Sequence, residues 1–373
     1  MRVGFDAKRA FFNNSGLGNY SRSTIELLAK EKAEHSYVLF TPNHENRSGF
    51  EVPQSVKVVY PRRIIKAFEK WWRYVRMVRT LRENKIELYH GLSNELPYDI
   101  RRSGAKSIVT MHDIIFVRYP KLYKPWDRWI YSKKYRRSCA LADRIIAISQ
   151  QTKNDLVRFW NISPEKIDVV YQGCNPIFYE KISEEGKRFV RKKYNLPERF
   201  ILSVGTVEER KNVMLVVKAM AQRGIRIPLV VCGKWTPYKE QINNYAEANG
   251  IDHLLHFYNN INSKDLPAIY QMSECLVYPS IFEGFGIPII EAMNSGVPVI
   301  TSQGGVFPET GGDACMYIDP LSVDEMAEAL TRVLSDVEFR NELISRGYEH
   351  VKKFREERIA ENIIEVYEKT LRQ

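Results

Sequence analysis

The sequence predicts an α/β protein of two domains, each a parallel sheet covered by helices, and three observations lead to it. A length of 373 residues suits two ordinary domains better than one small core, and 44% hydrophobic with 27% charged residues is a globular composition. Short β-rich runs alternate with helical stretches, the pattern of a parallel sheet whose crossovers are helices. That alternation halts once, over 173–198, where prolines stand near both ends and no strand is present, and then restarts.

The first series of strands runs RVGFD (2–6), SYVLFT (36–41), VKVVY (56–60), IELYH (86–90), SIVTM (107–111), RIIAI (144–148) and IDVVY (167–171). The second runs FILSV (200–204), PLVVC (228–232), HLLHF (253–257), CLVYP (275–279), VPVIT (297–301) and ACMYI (314–318). A helix is expected over 19–32, entered through a glycine-containing loop. Pro288 fits as the first helical residue after Gly286, and Ser322-Val-Asp-Glu325 reads as a capping box. The last segment carries Ile359, Ile363 and Val366 on one helical face, which needs a surface on one domain or the other. The pause gives domains 1–175 and 176–354, followed by a terminal helix over 355–373.

The net charge of +11 is concentrated. Residues 62–85 hold nine Lys/Arg against two Glu, and residues 118–137 hold eight against one Asp; the rest of the chain sums to −3. The first ten residues, MRVGFDAKRA, are charged where a signal peptide needs an apolar stretch, and no run approaches the ~18 apolar residues of a spanning helix. A cytoplasmic protein is expected. Five scattered cysteines (Cys139, Cys174, Cys232, Cys275, Cys315) argue against a disulfide framework or thiolate metal site and read as small buried residues.

In open parallel sheets, ligands bind beyond the carboxyl ends of strands. Several unusual residues fall at such ends, and two sheets facing each other would gather them into one cleft. Gly205 to Asn212 (GTVEERKN) puts a glycine after a strand and Arg210 with Lys211 near a helix start, a combination suited to a diphosphate; a self-compensating charged turn is the plain alternative. Gly233-Lys234 ends another strand. Gly16-Leu-Gly18 only partly matches a dinucleotide fingerprint, because Ser21 replaces the third glycine and the strand-to-glycine interval is too long, but the loop can close on a phosphate. His112, at the end of SIVTM, can bond a sugar hydroxyl or polarise a reacting group, with Asp113 holding its tautomer or capping the next turn. In IFEGFGIPIIEA, Glu283 lies in the loop and Glu291 in the first helical turn. Both carboxylates can accept hydrogen bonds from a polyhydroxylated ligand, while the amides of Gly284, Phe285 and Gly286 face the positive end of a helix dipole.

Taken together, Tyr278-Pro279-Ser280, Glu283-Gly-Phe-Gly-Ile-Pro288, Glu291-Ala-Met293, Gly296 to Ser302 and Pro308-Glu309 resemble the signature of retaining glycosyltransferases of sequence family 4, which have the GT-B fold. Gly205 to Asn212 resembles that family's phosphate loop and Gly16-Leu-Gly18 its amino-terminal glycine loop. The resemblance implies two Rossmann-like domains with parallel sheets facing across a cleft, and a terminal helix that returns to the first domain. It implies a nucleotide-sugar donor, with Glu283 beside the sugar hydroxyls, Glu291 on the ribose, Arg210 and Lys211 on the diphosphate, and His112 approaching the sugar. Glu283, His112, Lys211 and Arg210 are the expected catalytic set. Gly16, Gly18, Gly205, Gly233, Lys234, Gly284, Phe285, Gly286 and Glu291 complete the donor-binding set. Thr206 departs from the arginine that many relatives carry there, leaving that charge to Arg210. With no Asp-X-Asp motif, no metal and no cofactor are expected.

The FDAKR and GLGNYS stretches look most like bacterial mannosyltransferase-type members that build surface polysaccharide, so GDP-mannose is favoured over a UDP-sugar, and a glycan or lipid-linked saccharide is the expected acceptor. A sugar-nucleotide epimerase of the same fold is one rival reading. Another is a polyanion-binding protein on an inactive body, although no nucleic-acid motif supports it. Ile64, Phe68, Trp71, Val75, Val78 and Leu81 form an apolar stripe among arginines, and Trp126, Trp129, Tyr131 and Tyr135 recur among cations in the second basic segment. Each segment either lies on an anionic membrane surface or packs on the sheet.

Overall fold

The computed structural model describes residues 1–61 and 77–373. The chain forms two compact units, Met1–Gln172 with Arg355–Gln373, and Gly173–Phe354. The first ends at Gln172, short of residue 175, because Cys174 and Asn175 already serve the second unit. The Cys174 thiol accepts from Asn294 Nδ2 at 3.4 Å, and Asn175 Oδ1 accepts from the amide of Ile177 at 3.1 Å, opening a 3-10 turn.

The first unit holds β1 (Arg2–Asp6), β2 (Ser36–Phe40), β3 (Lys57–Val59), β4 (Leu88–Gly91), β5 (Lys106–Met111), β6 (Arg144–Ala147) and β7 (Ile167–Val169). All pair in parallel, in the order β3-β2-β1-β4-β5-β6-β7. Alternate residues feed two cores, one per face. Val3, Phe5, Leu39, Leu88, Ile108 and Ile146 enter one, while Val38, Phe40, Tyr89, Val109 and Ile145 enter the other. Burial on both faces explains why these strands read as continuous apolar runs rather than alternating ones.

The helix Glu356–Leu371 covers the first of these cores, burying Ile359, Ala360, Ile363, Ile364, Val366 and Tyr367 beside Val3, Phe5, Ile25 and Leu28. A buried polar chain fixes its register. Tyr367 Oη lies 2.7 Å from His90 Nδ1, His90 Nε2 lies 2.7 Å from Thr110 Oγ1, and Thr110 Oγ1 lies 3.2 Å from Tyr20 Oη. Burial pushes the His90 imidazole down to about 3, so the ring is neutral and each nitrogen needs a partner of the right kind.

A short helix, Lys8–Phe12, follows β1, and the longer helix expected over 19–32 begins at Gly16 and spans Gly16–Glu31. Asn13 Oδ1 accepts from the backbone N–H of Ser15 at 2.6 Å, closing a short turn that leads directly into the helix. The two glycines therefore belong to its first turn rather than to a loose loop. A Cβ on Gly18 would stand 1.8 Å from the Asn13 carbonyl oxygen, which is a packing reason for that glycine.

The second unit holds β8 (Ile201–Val204), β9 (Leu229–Cys232), β10 (Leu255–Tyr258), β11 (Cys275–Tyr278), β12 (Val299–Ser302) and β13 (Cys315–Ile318), parallel throughout in the order β10-β9-β8-β11-β12-β13. Ser322 caps the helix Val323–Ser335 by accepting from Glu325 N, and Glu325 Oε2 accepts from Asp319 N, just ahead of the cap residue. All five cysteines are buried and free.

Of the first apolar stripe, Ile64, Phe68, Trp71 and Val75 lie outside the described residues, and Val78 and Leu81 are buried in the sheet core. The second basic segment divides. Tyr131 and Tyr135 pack on Phe116, whereas Trp126 and Trp129 stand in solvent. Among the described residues no helix is long and apolar enough to cross a membrane.

Replacing Tyr367 by Phe removes one hydroxyl and leaves His90 Nδ1 unpaired in the core. Urea unfolding of this variant should show a loss of about 1–3 kcal/mol; stability equal to the parent would mean that the polar chain does not hold the helix.

Candidate active site

In the second sheet β8 and β11 are neighbours, and the strand order reverses between them. At such a reversal the loops leaving the two strands diverge to opposite faces and open a crevice at their carboxyl ends. The loop after β8 carries Gly205 to Asn212, and the loop after β11 carries Pro279 to Gly286. They are tied together by backbone, with Ile281 N donating to Arg210 O at 2.9 Å. Asn212, in the left-handed region at φ 56°, donates from Nδ2 to the carbonyls of Pro279 and Pro320.

One carboxylate oxygen organises this crevice. Glu283 Oε1 lies 2.6 Å from Lys211 Nζ and 2.8 Å from Arg210 Nη1. Arg210 Nη1 also donates to Phe282 O at 2.7 Å, and its Nη2 donates to Glu208 Oε1 at 2.6 Å. Lys211 Nζ donates to Tyr278 Oη at 2.7 Å and lies 4.7 Å from the centre of that ring. Burial opposes every charge here, but the partners decide the outcome. Lys211 and Arg210 outweigh burial and hold the Glu283 carboxyl below its usual range. The Glu283 and Glu208 carboxylates likewise keep Arg210 above its own, whereas desolvation wins at Lys211 and lowers it. Two cations and two carboxylates thus form a fixed group at the strand reversal.

The glycines here are steric. Gly205 has φ 141°, and a Cβ there would press on the Lys211 side chain at 3.3 Å. A Cβ on Gly233, after β9, would meet the Gly205 carbonyl oxygen at 1.9 Å. Lys234 is exposed, and its backbone carbonyl accepts from Val207 N at 2.8 Å.

Glu291 sits on the helix Ile287–Asn294, whose N-cap Gly286 has φ 106°. It is the fifth residue of that helix, in its second turn, because the helix opens at Ile287 and Pro288 is its second residue. The helix dipole therefore bears on it weakly, and its strongest partner is a side chain: Tyr270, fully buried, donates to Glu291 Oε2 at 2.8 Å. Burial raises the Glu291 carboxyl to about 7, with the Tyr270 bond pulling against it. Gly284 is partly exposed in the loop. The Phe285 ring is core, edge-on to Phe354 at 5.5 Å, and its carbonyl accepts from Thr310 Oγ1, so its side chain serves packing.

In the first unit His112 follows β5. Its Nε2 lies 2.9 Å from Leu92 O, a group that only accepts, so the proton is on Nε2 and the lone pair on Nδ1. Burial lowers the ring to about 4, and Tyr20 meets it edge-on at 4.6 Å. Asp113 caps the following turn, accepting from Ile115 N at 3.1 Å. Gly16 and Gly18 open the helix of the same unit.

Sequence reasoning singled out Arg210, Lys211, Glu283 and Glu291, carried Glu208, Asn212 and Tyr278 only inside longer motifs without a role of their own, and gave no part to Tyr270. Tyr270 carries no local signal, being one aromatic in an apolar helical run; only the fold brings it to Glu291. Tyr278, at the end of β11, could have been suspected from its place.

The pair of all-parallel, Rossmann-like units is the GT-B fold. The chain is a glycosyltransferase: residues 14–177 match the model described as Glycosyltransferase Family 4, and residues 186–350 that described as Glycosyl transferases group 1. The Escherichia coli O-antigen chain mannosyltransferase B is 27% identical, over 98% of this chain and 99% of that protein. Among solved structures, sucrose-phosphate synthase from Thermosynechococcus elongatus superposes with a TM-score of 0.78 at 22% identity, covering 99% of this chain and 98% of that one. Anabaena HepE in complex with UDP-glucose superposes at 0.75 with 16% identity, covering 99% and 100% respectively.

The folded Glu291 carboxyl binds its proton more tightly than an unfolded one, so this residue subtracts stability progressively as pH rises from the ordinary carboxylate range to about 7. Carboxyl NMR should place its midpoint near neutrality, with Glu291→Gln identifying the signal. Tyr270→Phe, which deletes a bond to the ionised form, should move the midpoint upward. A midpoint in the ordinary range would contradict the burial argument.

Proposed function

We propose that the chain transfers a mannosyl group from GDP-mannose to a glycan or lipid-linked saccharide acceptor in surface-polysaccharide assembly, with retention of configuration and without a metal ion. The observation that carries this reading is the shared Glu283 oxygen, which holds Lys211 and Arg210 side by side at the strand reversal of the second unit. The 27% identity to the O-antigen mannosyltransferase over nearly the full length of both chains supports the sugar.

The chemistry follows from charge. Breaking the sugar–phosphate bond leaves an electron pair on the diphosphate and positive character at the anomeric carbon. Fixed cations and helix N-H groups aimed at that diphosphate lower the barrier most where water is excluded. Lys211 and Arg210 supply the cations, and the helix Ile287–Asn294 supplies the N-H groups. The leaving phosphate oxygen takes the proton of the attacking acceptor hydroxyl on the same face, which preserves configuration and needs no protein nucleophile. Glu283 accepts from donor sugar hydroxyls and Glu291 from the ribose. In the first unit, neutral His112 can exchange a hydrogen bond with a sugar hydroxyl without adding charge.

Lys211→Ala should lower kcat roughly 10²-fold or more with an unchanged circular dichroism spectrum, because Arg210 still pairs with Glu283. The assay is sugar transfer from GDP-mannose, run beside UDP-glucose and with a chelator. Near-parent turnover by the variant would remove Lys211 from the reaction. Transfer only from the UDP-sugar would reassign the donor. Product formed without an acceptor would indicate epimerisation.

A further inference from the structure

The helix Pro125–Leu141 has two aromatic faces with opposite fates. Tyr131 and Tyr135 both stand 5.7 Å from Phe116, and Ser138 and Cys139 are buried beneath the same helix. The other face carries Trp126, Trp129, Lys133, Arg136 and Ala140, spaced by three and four residues, and every one of them is exposed. Trp126 is 68% exposed and Trp129 54%, although their rings stack on each other at 5.2 Å. Leu122, 43% exposed, extends the apolar patch into the turn before the helix, between exposed Lys121 and Lys124. Lys133 stands 4.9 Å from the Trp129 ring. Among the described residues, no carboxylate is in ion-pair range of Lys121, Lys124, Lys133 or Arg136.

We propose that this face, with Leu122, Trp126 and Trp129 as apolar anchors and Lys121, Lys124, Lys133 and Arg136 as a basic fringe, docks the protein on an anionic lipid surface. Three features favour lipid. Tryptophan sits well at headgroup level, with an apolar body in the acyl boundary and its N–H in the wet layer. From the N-cap Lys124 to Arg136 the cations extend over about 18 Å at the helix rise per residue, with Lys121 in the turn before it, a spread of charge that matches a flat anionic sheet rather than a single bound anion. Four cations with no carboxylate in ion-pair range among the described residues would gain nothing from a neutral glycan stacked on the indoles. The charge attracts and the rings hold, which is the usual division of labour at membrane surfaces. This inference does not depend on the donor or on the reaction.

The test is sedimentation of the full chain with vesicles. Vesicles containing phosphatidylglycerol should bind it and pure phosphatidylcholine vesicles should not, with binding weakened by about 0.5 M salt through screening. Trp126→Ser/Trp129→Ser should lower the partition coefficient about tenfold or more, and Lys133→Gln/Arg136→Gln several-fold per charge removed. Since all five native cysteines are buried, Trp126→Cys can be labelled selectively with an environment-sensitive fluorophore, which should shift to the blue on anionic vesicles. Absence of vesicle binding, equal binding to both lipids, or a partition unaffected by the double tryptophan variant would overturn the proposal; the last result would move docking to another segment, with residues 62–85 the first to examine.

Discussion

Everything in the second unit's crevice depends on how two buried cations are kept charged. Lys211 and Arg210 sit where water is scarce, and an unpartnered ammonium there would shed its proton. Glu283 opposes that by offering one oxygen to both, fully offsetting burial at Arg210 and partly at Lys211. The arrangement is reached from two distant parts of the chain, since one loop brings the cations and the other the carboxylate, and the β8–β11 pairing makes them meet. Glu208 and Phe282 O then leave Arg210 little freedom, so the positive charge is aimed before any ligand arrives.

The first unit handles buried polarity by the opposite route. His90 and His112 are kept neutral by burial, and each is given partners that suit an uncharged ring. His90 is spent wholly on architecture, joining β4, β5 and the terminal helix. His112 uses only its Nε2 on the backbone, with Asn94 Oδ1 fixing its own amide at 2.8 Å. A charged imidazole at either place would need a carboxylate, and no acid appears among the groups that set their protonation.

Much of this was readable in the sequence because parallel sheets buried on both faces leave unmistakable apolar runs, and each of the thirteen segments identified that way contains or overlaps a strand. Glycines after strands and cations before helices were equally visible for Gly205, Arg210 and Lys211. What escaped was anything decided by register between distant strands: that Glu283 pairs with the cations, that Tyr270 reaches Glu291, and that Phe285 turns inward to Phe354. The start of the helix at Gly16 escaped for a local reason, the Asn13 turn, which periodicity cannot register. Basic aromatic stretches were ambiguous because tyrosine and tryptophan serve core and surface alike, and within one helix the chain uses them for both.

The helix Glu356–Leu371 belongs to the first unit although the whole second unit precedes it in sequence. During synthesis, which proceeds at roughly 5–20 residues per second, the first sheet therefore emerges from the ribosome with the face around Val3 and Phe5 still uncovered. Its closure is deferred until residues 356–371 have been made, so the earlier-made sheet waits on a helix coded beyond the whole second unit, and a nascent chain stalled before that point exposes a greasy surface that quality-control machinery can grasp.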